Sequence, residues 1–280
     1  MRILKIMSIL AAMACIMVSC DKIEKDGDKG YTEFMGYPLT WESCDDEIDM
    51  TQRAYLEKYT GVRCVNCPAA DGIIHEAVKT YGEKLVVAAV HCSESYGKPY
   101  KGDPDLRIAE GETWALNYVG STYALPSAMV NRTGSTFNPS TGVNDKIEAA
   151  LGSKAKVGVC LYAMESVGTL VDAEITLHFA ETITEPLVLT LMVVEDSIFA
   201  KQNDNGTVVE NYQFDHVLRQ VVTDTWGNDV TGNTTKGKGL HGTVSFPLRE
   251  DCMPEHCSLI ALVSYKGSKE ILNSACCSLR

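Results

Sequence analysis

Apolar and polar positions follow two different periods along this chain. Between about residues 49 and 153, strand-like runs alternate with stretches whose apolar residues recur at steps of three and four. Residues 53–59 predict a strand. Residues 68–81 predict a helix, with Ala70, Ile73, Ile74, Ala77, Val78 and Tyr81 on one face and Gly82 as its stop. The almost unbroken apolar run over 84–91 is the pattern of a strand buried on both faces of a sheet. Helix over 105–118, strand over 128–131 and helix over 143–151 complete an alternation that predicts an α/β or α+β domain, α/β being the expectation. From about Lys156 the period becomes two. In 171–179 the odd positions are apolar and the even ones polar, and 187–194, 243–248, 258–265 and 271–277 read as further strands. Gly232-Asn233 and Gly237-Lys238-Gly239 punctuate them, which predicts an all-β, immunoglobulin-like sandwich. The expected domains are 41–154 and 155–280, joined near 152–156.

The first residues belong to neither pattern. Arg2 and Lys5 precede an apolar run over 6–18, and small Ser19 stands before Cys20. That order reads as a secretory signal peptide over 1–19, too short to span a hydrocarbon core that needs about 20 residues. Met17-Val18-Ser19-Cys20 resembles the lipobox of bacterial lipoproteins. The resemblance implies that Cys20 is acylated and becomes the mature N-terminus, so that a membrane is the first partner. A charged, glycine-bearing stretch follows, and residues 20–40 are expected to form a flexible tether.

The formal net charge of −12 argues against a nucleic-acid surface. Eleven cysteines less Cys15 and Cys20 leave nine, an odd number that puts at least one thiol outside any intramolecular pairing. The informative pair is Cys64-Val65-Asn66-Cys67-Pro68, set between a predicted strand and the N-terminus of a predicted helix. A helix N-terminus carries partial positive charge and unsatisfied N–H groups, both of which stabilise a thiolate. Cys64, expected to be the more exposed, would attack, and Cys67 would resolve the mixed disulfide. A static disulfide or half of a zinc site would use the same spacing. No cofactor is expected.

Strand, C-x-x-C, helix, buried strand and helix, then Leu125-Pro126 leading into Ser127-Ala128-Met129-Val130-Asn131, resembles the thioredoxin fold. The resemblance implies a cis-proline at Pro126 that presents substrate backbone to the dithiol. It leaves Glu57 or Lys58 as the group beneath the disulfide. Arg63 stands where a tryptophan is usual, and residues 93–104 form an insertion. Over nearly the whole mature length the chain is also similar to the Gram-negative outer-membrane lipoproteins called the twenty-eight-kilodalton outer-membrane protein family. Tyr59 to Pro68, Val90-His91, Leu125-Pro126-Ser127, Val130-Asn131-Arg132 and His216-Val217-Leu218-Arg219 carry that likeness.

The remaining candidates are weaker. His91 could tune a thiolate or, with the C-x-x-C, bind copper, and Cys92 could be a third thiol. Cys252 and Cys257 flank a short turn and could bridge it, while Cys160 could pair with Cys276 or Cys277; Cys44 has no evident mate. His216 and Arg219 read as a packed corner of the sandwich. Two functions compete. One is a thiol–disulfide oxidoreductase of the outer-membrane envelope acting on protein thiols or disulfides. The other is a non-enzymatic surface-binding lipoprotein whose C-x-x-C is a staple.

Overall fold

The computed structural model describes residues 37–44, 48–167 and 170–279. The expected signal peptide and Cys20 lie outside the described residues. In chain order the first half contains β1 (Tyr37–Cys44), β2 (Ala54–Thr60), α1 (Cys67–Tyr81), β3 (Leu85–His91), α2 (Ala109–Tyr118), β4 (Ser127–Val130) and α3 (Val143–Leu151). The second half contains β5 (Val157–Val167), β6 (Leu170–Phe179), β7 (Leu187–Glu195), β8 (Ile198–Asp204), β9 (Thr207–Phe214), β10 (Val217–Val221), β11 (Asn228–Asp229), β12 (Gly239–Pro247), β13 (Cys257–Tyr265) and β14 (Ile271–Ser278). The protein is mostly β. Among the described residues no helix is long and apolar enough to cross a membrane.

Local pattern becomes local structure directly. β3 is buried at every position, as an apolar strand covered on both faces must be. β6 is buried at 171, 173, 175, 177 and 179 and half-buried between them, the period of two made physical. The chain enters a sheet earlier than the tether expected through residue 40 would allow. Tyr37 already pairs with Ser245 on β12, because β12 between β6 and an open edge needs a second neighbour.

One eight-stranded sheet runs β14-β13-β7-β10-β3-β2-β4, with β11 paired to β7. β2 and β3 are parallel and joined through α1, since parallel neighbours require a crossover. β4 returns antiparallel to β2. A second sheet, β1-β12-β6-β5, faces the β7–β13–β14 end of the first. Val159, Ile175, Leu177 and Phe246 from one sheet meet Leu189, Leu191 and Leu259 from the other in a shared core. The second half is therefore built of β-strands, as its alternation predicts, and they are shared between two sheets that each also take strands from the first half.

The two halves are not separate bodies. All described residues fall within one compact unit. β10 runs parallel to β3, and the Ala89 N–H donates to the His216 carbonyl at 2.7 Å. A free β3 edge would present unpaired N–H and C=O groups; β10 satisfies them and makes the sheet continuous. The core follows the sheet across the expected boundary, with Tyr55, Val90 and Trp114 packed in one cluster with Met192, Leu218 and Ile260. Leu56, Ile74, Val87 and Ile147 form the core on the α1 and α3 side.

Candidate dithiol site

β2 delivers the chain to the C-x-x-C through a tight turn at Gly61. A β-carbon on Gly61 would lie 2.5 Å from the Tyr96 carbonyl oxygen, so glycine is required by close approach. The inserted loop over 93–104 is bound to this turn. Arg63 N–H donates to Tyr96 O at 2.8 Å, its side chain donates to Lys98 O at 2.8 Å and Pro99 O at 3.0 Å, and its guanidinium stacks 4.2 Å from the Tyr100 ring. Arg63 thus works as a clamp on the insertion.

Cys64 and Cys67 form a disulfide, with the Cys67 N–H donating to Cys64 O at 3.3 Å. Cys67 is the first residue of α1 and Pro68 follows in the first turn, where its missing N–H costs little. No acidic residue occupies that turn, so no carboxylate there offsets the positive end of the helix dipole. Both cysteines are buried, so the exposure expected of Cys64 is reduced to a trace. Cys64 is 2% exposed and Cys67 0%, while Val65 between them is 41% exposed.

The cover is the β8–β9 hairpin, a two-stranded sheet of its own. Asn203 N–H donates to Val62 O at 2.9 Å, Asn205 N–H to Val65 O at 3.1 Å, and Gln202 Nε2 to Cys64 O at 3.0 Å. The hairpin also reaches α1, where Tyr212 Oη donates to Asp71 Oδ2 at 2.8 Å. Sequence reading missed it, although Asn205-Gly206 is the dipeptide of a tight hairpin turn.

The Leu125–Pro126 bond is cis, and Pro126 is buried immediately before β4. Pairing of Ser127 with Tyr59 sets Pro126 beside the end of β2, the segment that leads into Cys64. Glu57 and Lys58 point to opposite faces of β2, as alternation demands. Glu57 is bound by Arg132 on the Trp114 side. Lys58 contacts Asp71 of α1, which puts Lys58 on the face shared with the dithiol helix.

Beneath α1 lies a cavity of about 390 Å³ lined by Lys58, Asp71, His75, His91, Tyr212 and Phe214, among others. Burial draws the Lys58 pKa down to about 7, Asp215 holds it up, and the touching Asp71 carboxylate opposes loss of the charge. His91 is 2% exposed, stacks edge-on to Phe214 at 5.3 Å, and neither ring nitrogen meets the geometry of a hydrogen bond to any of the described residues. Burial and then the Lys58 charge lower its pKa from 6.5 to about 3. The folded protein therefore holds His91 neutral while the unfolded chain protonates it near its ordinary value. Stability contributed by this difference is complete above that value and is lost as pH falls toward about 3. Acid should cost wild type up to about 1.4 kcal/mol per pH unit through this one group. His91→Phe should flatten that limb in urea-unfolding midpoints taken from about pH 7 to about pH 4; parallel slopes in the two proteins would refute the assignment.

The other cysteines settle differently from one another. Cys92 is fully buried, donates to Thr60 O at 3.7 Å, and has its thiol pKa pushed up to about 12 by burial, so it is no third thiolate. Cys44, Cys160, Cys276 and Cys277 form no disulfide among the described residues, so the pairing considered for Cys160 with Cys276 or Cys277 is not made. Cys252 and Cys257 are also free. Of the pair expected at a packed corner, Arg219 is buried on β10 against Glu195 and Asp251, and His216 stands just before β10 with its ring 3.2 Å from Asp196.

These features define a mostly β protein carrying a disulfide-bonded C-x-x-C at a helix N-terminus. The chain belongs to the family described as outer membrane protein Omp28, whose model matches residues 115–276. That stretch starts inside α2 and leaves the C-x-x-C outside it. No curated protein matches the chain. Among solved structures, HBP35 of Porphyromonas gingivalis is similar at a TM-score of 0.61 and 19% identity, covering 83% of this chain and 77% of that one. A structural-genomics protein from Agrobacterium tumefaciens gives 0.53 and 14%, covering 83% and 97%. A domain of the outer membrane lipoprotein Omp28 from Porphyromonas gingivalis gives 0.33 and 14%, covering 45% and 89%. At these identities the first two likenesses speak for the fold alone.

Proposed function

We propose that this chain is a lipid-anchored envelope protein, held to the outer membrane through Cys20, whose β2–α1–β3–α2–β4 segment is a thioredoxin-like dithiol unit. The observation that carries the reading is the Cys64–Cys67 disulfide at the N-terminus of α1, directly after a strand parallel to β3. The cis bond before Pro126, beside the end of β2, supports it. In this reading β10 supplies the parallel strand that completes the dithiol unit's sheet, and an immunoglobulin-like sandwich carries β10 and the hairpin.

The chemistry is thiol–disulfide exchange with protein partners. In the reducing direction the Cys64 thiolate attacks a substrate disulfide, one substrate sulfur leaves as a thiolate, and Cys67 then attacks Cys64 to release the second. Protein thiols reacting with the closed pair run the same steps backwards. Pro126 positions the partner's backbone. Equilibration in glutathione buffers followed by alkylation and peptide mapping should show a reversible two-electron transition of the Cys64–Cys67 peptides that vanishes in Cys64→Ser and in Cys67→Ser. A pair that stays oxidised until the protein unfolds would overturn the proposal. It would favour the second reading, a binding lipoprotein with a structural staple, to which the burial of both sulfurs lends support.

A further inference from the structure

The turn before β13 holds a second pair of thiols, remote in sequence from the C-x-x-C. Cys252 and Cys257 flank a single helical turn over Pro254–His256, closed by the His256 N–H donating to Met253 O at 2.8 Å. The Cys252 N–H donates to Arg249 O at 3.1 Å, and Cys257 O accepts from Leu279 N–H at 3.0 Å. Both sulfurs and a Glu195 carboxylate oxygen lie within 4.8 Å of one another. Two sulfurs and a carboxylate could serve a metal ion or a disulfide, and the surroundings choose between them.

Glu195 is already committed. One oxygen takes the Arg219 guanidinium and the other the Met253 N–H at 3.0 Å. Arg219, 3% exposed, also bonds Asp251 Oδ2 at 2.8 Å. A metal cation here would face a fixed, buried guanidinium and compete with two donors for the carboxylate. A dithiol needs neither. Hydrogen bonding from Cys257 and the Arg219 charge favour a Cys252 thiolate against burial and the Glu195 and Asp251 carboxylates, and a thiolate beside a second thiol is the reactant of exchange chemistry.

We propose that Cys252 and Cys257 form a second thiol–disulfide site, closed to an intramolecular disulfide by a small-molecule disulfide such as oxidised glutathione, with Cys252 as the attacking sulfur. Two observations select Cys252. It is 8% exposed against 1% for Cys257, so an oxidant meets it first. Hydrogen bonding from Cys257 lowers the Cys252 pKa, while Cys257 in the donor role has its own raised. The Cys252 thiolate attacks one sulfur of the oxidant, forming a mixed disulfide and expelling one small thiolate. Cys257 then loses its proton and attacks Cys252, expelling the second. The protein gives up two electrons and two protons, and the small disulfide becomes two thiols. The closed bond would tie the turn to β13 above the Glu195–Arg219–Asp251 network.

The test uses the full chain, folded and without denaturant, exposed to oxidised glutathione, then alkylated and mapped by peptide mass spectrometry. Exposed Cys160 reports that the oxidant acts, and buried Cys92 reports that the fold has not opened. The expected product is a Cys252–Cys257 disulfide peptide. In Cys257→Ser a stable glutathione adduct should collect at Cys252, roughly tenfold faster than at Cys257 in Cys252→Ser. Two thiols that remain alkylatable while Cys160 is modified would overturn the proposal. So would thiols protected by stoichiometric zinc that a mercurial reagent releases, an outcome that would assign a metal site.

Discussion

Glu57→Ala is expected to lower the unfolding free energy by about 3–5 kcal/mol, the loss typical when one member of a buried ion pair is removed. Arg132 Nε donates to Glu57 Oε2 at 2.7 Å and Nη2 to Oε1 at 3.0 Å, with the two side chains 2% and 0% exposed. The guanidinium also lies 4.5 Å from the Trp114 ring centroid. Alanine would leave that charge in an apolar layer with no carboxylate to offset its desolvation. Arg132→Lys should also be costly, because an ammonium cannot reproduce the two-point bond or the stacking. Glu57→Leu combined with Arg132→Met removes both charges and should recover most of the loss. Urea unfolding of the single and double variants measures this directly. A loss below about 1 kcal/mol in Glu57→Ala would place the pair with exposed salt bridges and show that its burial is not maintained in solution. The effect matters for the site because Glu57 lies on β2, the strand that presents Cys64.

Local periodicity made much of this architecture legible. The spacing over 143–151 marks α3, the alternation over 171–179 marks β6, and the apolar run over 84–91 marks β3. The C-x-x-C was legible for the same reason, since its setting depends only on the strand before it and the helix after it. What escaped was pairing between distant segments. β10 is a five-residue strand with no alternation of its own, and its place beside β3 follows from the open edge that β3 would otherwise present. Without β10 the halves look separable; with it they share a sheet. The choice between Glu57 and Lys58 was likewise undecidable from β2 alone. It required knowing that Arg132 waits on one face and Asp71 on the other. The hairpin carried its turn dipeptide, yet Val208 and Val209 are adjacent apolar residues that are both exposed, so β9 hid its period.

That hairpin leads to the second large effect. Replacing residues 202–209 by a short glycine turn should make reduced Cys64 react with iodoacetamide roughly a hundredfold faster. The deleted segment supplies three hydrogen bonds to the chain around the dithiol, from Asn203, Asn205 and Gln202 to the carbonyls of Val62, Val65 and Cys64. At about 1 kcal/mol net for each, opening the cover costs on the order of 3 kcal/mol, and each 1.4 kcal/mol is about a tenfold change in the exposed population. Gln202→Ala alone, which removes one of the three, should give an increase of roughly fivefold. The Tyr212–Asp71 bond and the Phe214 packing remain in both variants, so the cavity wall beneath α1 is kept. Buried Cys92 provides the control: its alkylation must stay slow, since a parallel rise would signal unfolding rather than uncovering. An unchanged Cys64 rate with Cys92 still protected would mean that the hairpin does not limit access. The carbonyls it occupies are main-chain acceptors of the kind an extended partner segment pairs with. Under the proposed exchange function, a partner reaching Cys64 by strand-like contact would have to displace this hairpin, so the three bonds that slow small reagents would also select among such partners.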